Sequence, residues 1–372
     1  MDRAVVEMKG AKRAVISHYA RADDHIATRQ VVTVVTLLGL TWLMVARSAA
    51  VAWGVAVLIV LLALLQMRVF ALLHECGHGS LFATQRLNRL SGSLLGMLCG
   101  MPQYVWSQHH LRHHATNGDW ERHRGTLNVL SVDEYAALSA AQQRKYRLLR
   151  HVALAPYAGF MYLVVNPRLN WLRGICAFLI HLVREKWRFP SLPWRAHKAS
   201  FTTRRWASPA EFRDMSINNL AQLLIWIPMC VWLGPRLFLL CHFTSLAFAG
   251  GATIVLFASQ HNFEHAYAAD TARWDYDTST LRGTSFMLLP DWLHWFTANA
   301  AYHHVHHLSA AIPNYRLRAC HEQHELLFTE VYRVRLGDLR RCLRCILWDR
   351  AARRIISIDE YDRRSAIHRA RA

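Results

Sequence analysis

Two apolar runs lie back to back near the start of the chain. Residues 31–46 (VVTVVTLLGLTWLMVA) stop at Arg47, and residues 49–65 (AAVAWGVAVLIVLLALL) continue past Gln66 and Arg68 to Leu73. Each is close to the roughly 20 residues that a helix needs to span a bilayer. The short break at Arg47 and Ser48 makes them a tight helical hairpin. A second pair follows: residues 217–233 (INNLAQLLIWIPMCVWL), a turn at Gly234-Pro235-Arg236, then residues 237–258 (LFLLCHFTSLAFAGGATIVLFA). The pattern predicts an all-α integral membrane protein with two transmembrane hairpins, four spans in all. Buried helices of a soluble protein fit poorly, because 31–65 and 217–258 carry almost no charge. A third apolar region, 151–183, is cut by Asn166-Pro167-Arg168 and again by Arg173, which predicts short helices lying on the membrane interface. Residues 94–106 read as another shallow segment.

Charge orients these elements. Of 372 residues, 53% are hydrophobic and only 19% charged, yet the formal net charge is +19. That combination excludes a disordered chain and an ordinary soluble enzyme. Residues 107–216 hold 17 basic and 7 acidic side chains, and 331–372 hold 12 and 5. Basic loops stay cytoplasmic, so both hairpins point outward and both termini lie inside. The expected organisation is a cytosolic N-terminal segment (1–30), a membrane domain (31–330) and a basic cytosolic tail (331–372). No cleavable leader precedes residue 31, so the first run reads as an anchor. Eight Cys suggest reduced thiols, and Cys342-Leu343-Arg344-Cys345 reads as incidental spacing. The basic tail suits anionic lipid headgroups or an acidic electron carrier better than nucleic acid.

Histidine changes the picture most. There are 23, and three clusters follow the apolar runs. His74-Glu75-Cys76-Gly77-His78 places two imidazoles on one helix face. His109-His110-Leu111-Arg112-His113-His114 and His303-His304-Val305-His306-His307 both contain H-x-x-H-H. Its first and fourth residues are expected to stack while the fifth turns about 100° away, so one box can serve two metal ions. All three boxes fall on one side of the membrane. Zinc needs four ligands, whereas the eight motif positions suit a dinuclear site. The first box also reads as H-E-x-x-H, a zinc-protease motif with Glu75 as general base. That reading leaves the other boxes unexplained, and no Asp-Gly pair supplies a third ligand. A fourth candidate box, Gln260-His261-Asn262-Phe263-Glu264-His265, puts His261 and His265 one helical turn apart at the end of the fourth run.

These boxes, in this order around two hairpins, resemble the membrane fatty-acid desaturase family. So do HHATNGDWERHRGT, QHNFEHAY and RGTSFMLLPDWLHWFTANAAYHHVHHLSAAIPNYRL, which look like the bacterial acyl-lipid omega-6 (delta-12) type over about residues 55–328. The boxes alone are shared with hydroxylases and ketolases. The resemblance implies two non-haem iron ions, O₂, a fatty acyl substrate, an external electron donor such as ferredoxin, and a bacterial inner membrane. It implies His74, His78, His110, His113, His114, His303, His306 and His307 as ligands. His265 matches a further direct ligand, and His261 a position that can act through water. His109 and His304 read as supporting residues. Carboxylates of Glu75, Glu264, Asp119 and Asp291 are candidates to orient histidine N–H groups. Phe286, Trp292, Trp295 and Phe296 are candidate walls of an acyl tunnel, or else interface anchors.

Overall fold

A computed structural model of the chain describes residues 3–125 and 127–371. It is an all-α membrane architecture with a small mixed cap. Among the described residues, four helices are long and apolar enough to cross a bilayer: Asp24–Arg47, Ala52–His78, Pro209–Leu233 and Pro235–His261. The first begins seven residues before its apolar run because Asp23 caps it, accepting the N–H groups of His25 and Ile26. The second outlasts its apolar run, so its last turn carries the first histidine box before Gly79 ends it at φ +72°. Val34, Leu38 and Trp42 of the first span pack against Leu58, Leu62 and Phe238 in the main core. The segment 94–106 divides between helices Gln85–Cys99 and Gln103–Thr116, and the second of these presents the second box.

The 151–183 region departs from expectation. It is not cut at Pro167. Helix Ala155–Phe160 passes through a π turn, Met161–Val165, straight into helix Asn166–Arg188. Pro167 has no N–H to give to the preceding turn, and the wider π turn accommodates that. Arg168 supplies donors to this turn: its guanidinium donates to Leu163 O, the carbonyl four residues before Pro167, at 2.9 Å and to Val164 O at 3.3 Å. It also bonds Asn218 Oδ1 at 2.7 Å, tying the run to the third span. The residue that looked like a break is the one that repairs it.

Residues 331–371 fold into the cap. Strand Leu347–Asp349 pairs in parallel with Leu130–Ser131 and antiparallel with Arg354–Ile356, while Tyr332–Arg335 pairs in parallel with Ser285–Leu288. Cys342, Cys345, Trp348 and Ile355 are buried with Trp120, Val129 and Phe263 in one apolar cluster. Burial pushes the Cys342 thiol up to about 12, so it stays protonated, which agrees with incidental C-x-x-C spacing. At the other end, helix Arg3–Tyr19 lays Val5, Met8 and Val15 against Val305, Leu308 and Leu317 beside the third box. Both chain ends thus brace the histidine-bearing end of the spans.

Candidate metal centre

Nine histidines converge in two adjacent groups. His74, His78, His110, His114 and His306 form one, and His113, His261, His303 and His307 the other, with the ring nitrogens of each group within 4.8 Å of one another. Nitrogens about 2.1 Å from a common ion lie up to about 4.2 Å apart, so each group is slightly wider than a coordination sphere and could close on an ion by small side-chain shifts. The two groups touch: the His114 and His307 rings stack at 4.2 Å between centroids.

Helix geometry explains how each box is shared. In the second box His110 and His114 serve the first group and His113 the second. In the third box His303 and His307 serve the second group and His306 the first. The members that stand together are therefore the first and fifth of H-x-x-H-H, and the expected first-and-fourth pairing is corrected. A step of four residues turns only about 40° past a full circle, whereas a step of three stops about 60° short. His110 Nε2 and His114 Nε2 accordingly lie 3.0 Å apart.

The inward nitrogens have a fixed role. His74 Nδ1 lies 3.0 Å from Glu75 Oε1, and His261 Nδ1 lies 3.0 Å from Gly283 O. Those contacts take the Nδ1 protons and leave each Nε2 lone pair facing the group. His261 Nε2 then meets His303 Nε2 at 2.9 Å and His113 Nε2 at 3.1 Å. His307 Nε2 is buried without a hydrogen-bond partner. Burial, reinforced by the neighbouring imidazoles, holds His110, His113, His114, His303, His306 and His307 well below the usual histidine range. Neutral imidazoles with inward lone pairs suit a metal cation. Among the described residues no carboxylate or thiol belongs to either group.

His265 stands outside both groups. The fourth span ends at His261, and Asn262 leaves the helix with φ −104° and ψ 79°. The four-residue spacing therefore never becomes a helical turn. His265 is exposed at φ +70°, its N–H donates to Ile355 O at 3.1 Å, and its ring sits beside the Arg354 guanidinium. Of the two candidates in this box, the structure brings His261 into the second group and leaves His265 outside both, against the cap.

Among the four candidate supporting carboxylates, only Glu75 bonds a grouped histidine. Glu264 pairs with Arg341, Asp291 with Arg318, and Asp119 with Thr271. His304 is buried against His321 at 2.8 Å, and His109 faces a cavity.

That cavity, about 670 Å³, runs between helix Gln103–Thr116, the π turn and the fourth span. His110, His113 and His261 line it, together with Phe70, Trp106, Tyr157, Met161, Tyr162, Thr253, Ile254 and Phe257. The expected walls are different residues. Phe286 packs on Tyr302 and His321, Trp292 is exposed, and Trp295 and Phe296 pack against the span core. The wall residues did leave a sequence signal. Phe70, Trp106 and Phe257 each precede a grouped histidine by four residues, so one helix face carries both wall and ligand candidate.

Over most of its length the chain is similar to known proteins. The fatty acid desaturase family model matches residues 48–336. A curated "Fatty acid desaturase" of Bacillus subtilis (strain 168) is 32% identical over 292 residues, covering 78% of this chain and 73% of that protein. With three of its four spans and all of its histidine boxes inside the family match, the chain belongs to the fatty acid desaturase family.

Proposed function

We propose that this protein is an O₂-dependent fatty acyl desaturase that places a cis double bond in an acyl chain at a pair of histidine-bound irons. One observation carries the reading: a mostly apolar cavity is lined by histidines of both groups. A methylene C–H is too inert for acid–base or nucleophilic side chains, so bound iron would supply the oxidising chemistry. His74, His78, His110, His114 and His306 would hold one ion; His113, His261, His303 and His307 would hold the other. The chain's own part is to seat the acyl chain along Tyr157, Met161 and Ile254, to exclude water, and to hold the imidazoles neutral and aimed.

The acyl-lipid, omega-6 (delta-12) assignment follows the wider sequence resemblance. Arg150 lines both this cavity and a small adjoining basic pocket with Arg147, Arg340 and Arg344, which suits a polar headgroup left at the mouth. Electrons would come from a separate carrier such as ferredoxin. Expression in a bacterium that makes only saturated and monounsaturated chains, with fatty-acid profiling, should yield a new double bond. An added hydroxyl or keto group instead would favour the hydroxylase or ketolase alternative. The purified chain should hold about two irons, where a zinc protease would hold one zinc.

The protease reading also predicts a different fate for Glu75. Its Oε1 accepts from His74, and its Oε2 accepts the Asn314 N–H at 2.9 Å and the Ser80 hydroxyl at 3.3 Å. A carboxylate committed in this way orients a ligand and is not free to activate water. Glu75→Gln should therefore keep measurable desaturation, reduced about 10–100-fold with weaker iron retention. A proteolytic activity that disappears in this variant would overturn the assignment.

We place the termini and the histidine groups in the cytoplasm of a bacterial inner membrane, on the strength of the basic loops. The spans bring the first and fourth boxes to one end and the turns at Ser48 and Gly234 to the other. Reporter fusions after Gln30, Leu130 and Ala372 should read cytoplasm, and those at Arg47 and Gly234 the opposite side. A periplasmic signal at Leu130 would contradict this orientation.

A further inference from the structure

Arg68 lies within the second span, only 4% exposed, and forms no ion pair among the described residues. A buried guanidinium at such a place is costly unless its hydrogen bonds organise something. Its Nη1 donates to Trp295 O, its plane lies 4.0 Å from the Trp295 ring centroid, and its Nη2 donates to Gln30 Oε1 at 3.1 Å. The same Gln30 oxygen accepts Asn314 Nδ2–H at 2.9 Å, and Gln30 Nε2 returns a bond to Asn314 Oδ1 at 3.3 Å. Asn314 closes the circuit twice. Its N–H donates to Glu75 Oε2 at 2.9 Å, and its carbonyl accepts Asn299 Nδ2–H at 2.9 Å.

These residues bracket the third box. Trp295 and Asn299 precede His303, and Asn314 follows His307. Ala298 (φ +48°) and Asn299 (φ +59°) adopt left-handed backbone in succession, a strained conformation that persists only where the surroundings impose it. The second span pins the near side of the box through Arg68 and the far side through Glu75, which also holds His74.

We propose that Arg68 is a positioning residue of the metal centre: with Gln30 and Asn314 it clamps both ends of the third histidine box onto the second span and so preforms both histidine groups. This rests on the metal-centre reading above. The clamp consists of protein groups only, so it acts before metal arrives.

The test uses the full-length protein in nanodiscs, with iron retention against a competing chelator and hydrogen exchange of residues 296–308 in the metal-free chain. Arg68→Met should weaken iron retention about 10–100-fold and speed exchange across 296–308, leaving the Asp24–Arg47 and Pro209–Leu233 spans unchanged. Arg68→Lys, which can still donate to the Trp295 carbonyl, should recover most of both. Gln30→Leu removes the link from the partly buried end, so it decides the matter should Arg68→Met fail to accumulate. Retention and exchange at wild-type level in Gln30→Leu, or no recovery by lysine, would overturn the clamp. A wild-type chain that binds no iron would instead sink the metal-centre reading itself.

Discussion

His261→Ala is expected to abolish double-bond formation and to cost the chain at least one iron, while His265→Ala keeps both irons and most activity. His261 Nε2 lies between His113 and His303, and its far nitrogen is fixed by the Gly283 carbonyl. Removing it deletes the nitrogen that the other two face. His265 lies on the cap surface beside Arg354, and its loss touches no grouped ring. Iron per chain and product yield, measured on the two variants side by side, check this. An inactive, iron-poor His265→Ala beside a competent His261→Ala would refute it.

Gly159→Leu should have the other large effect, acting through the fold. A Cβ built on Gly159 would stand 2.2 Å from the Gly251 nitrogen and 2.6 Å from the Ala247 carbonyl oxygen, so backbone would have to move. Here the helix before the π turn crosses the fourth span backbone to backbone, which only Gly159 facing Gly250 and Gly251 permits. Forced overpacking typically costs 1–3 kcal/mol, and more where backbone blocks relaxation. Tyr157, Met161 and Tyr162 flank the crossing and line the cavity, so the displacement reshapes the cavity as well. Gly159→Leu should accumulate poorly and lose activity; Gly159→Ala should show the same trend more weakly. Wild-type melting and turnover in Gly159→Leu would show that the close crossing is not needed.

The spans and boxes were legible because hydropathy and four-residue spacing are local properties of the chain. What was not legible depended on partners far away in sequence. The pair His261 and His265 looks like a helical turn until one knows that Asn262 leaves the helix to bond the Cys345 carbonyl at 3.0 Å. Pro167 looks like a break until Arg168 is seen tying the run to Asn218 of the third span. Trp348, Ile355 and Ile356 are scattered among arginines, so the segment's charge hid its buried face. The way each H-x-x-H-H box divides between two groups needed only helix arithmetic, and there the expected angle was misassigned.

The cap's strand pairing also sets an order of events during synthesis. All nine grouped histidines have been made by residue 307, but the strands that pin the end of the fourth span, Leu347–Asp349 and Arg354–Ile356, come later. At about 5–20 residues per second, translating from residue 307 to residue 356 takes roughly 2–10 s. For that interval the spans can already sit in the bilayer, while Asn262 and His265 lack their Cys345 and Ile355 partners. The nascent chain therefore carries all nine grouped imidazoles before the cap strands that hold the end of the fourth span exist, and the site is braced from the C-terminal side last.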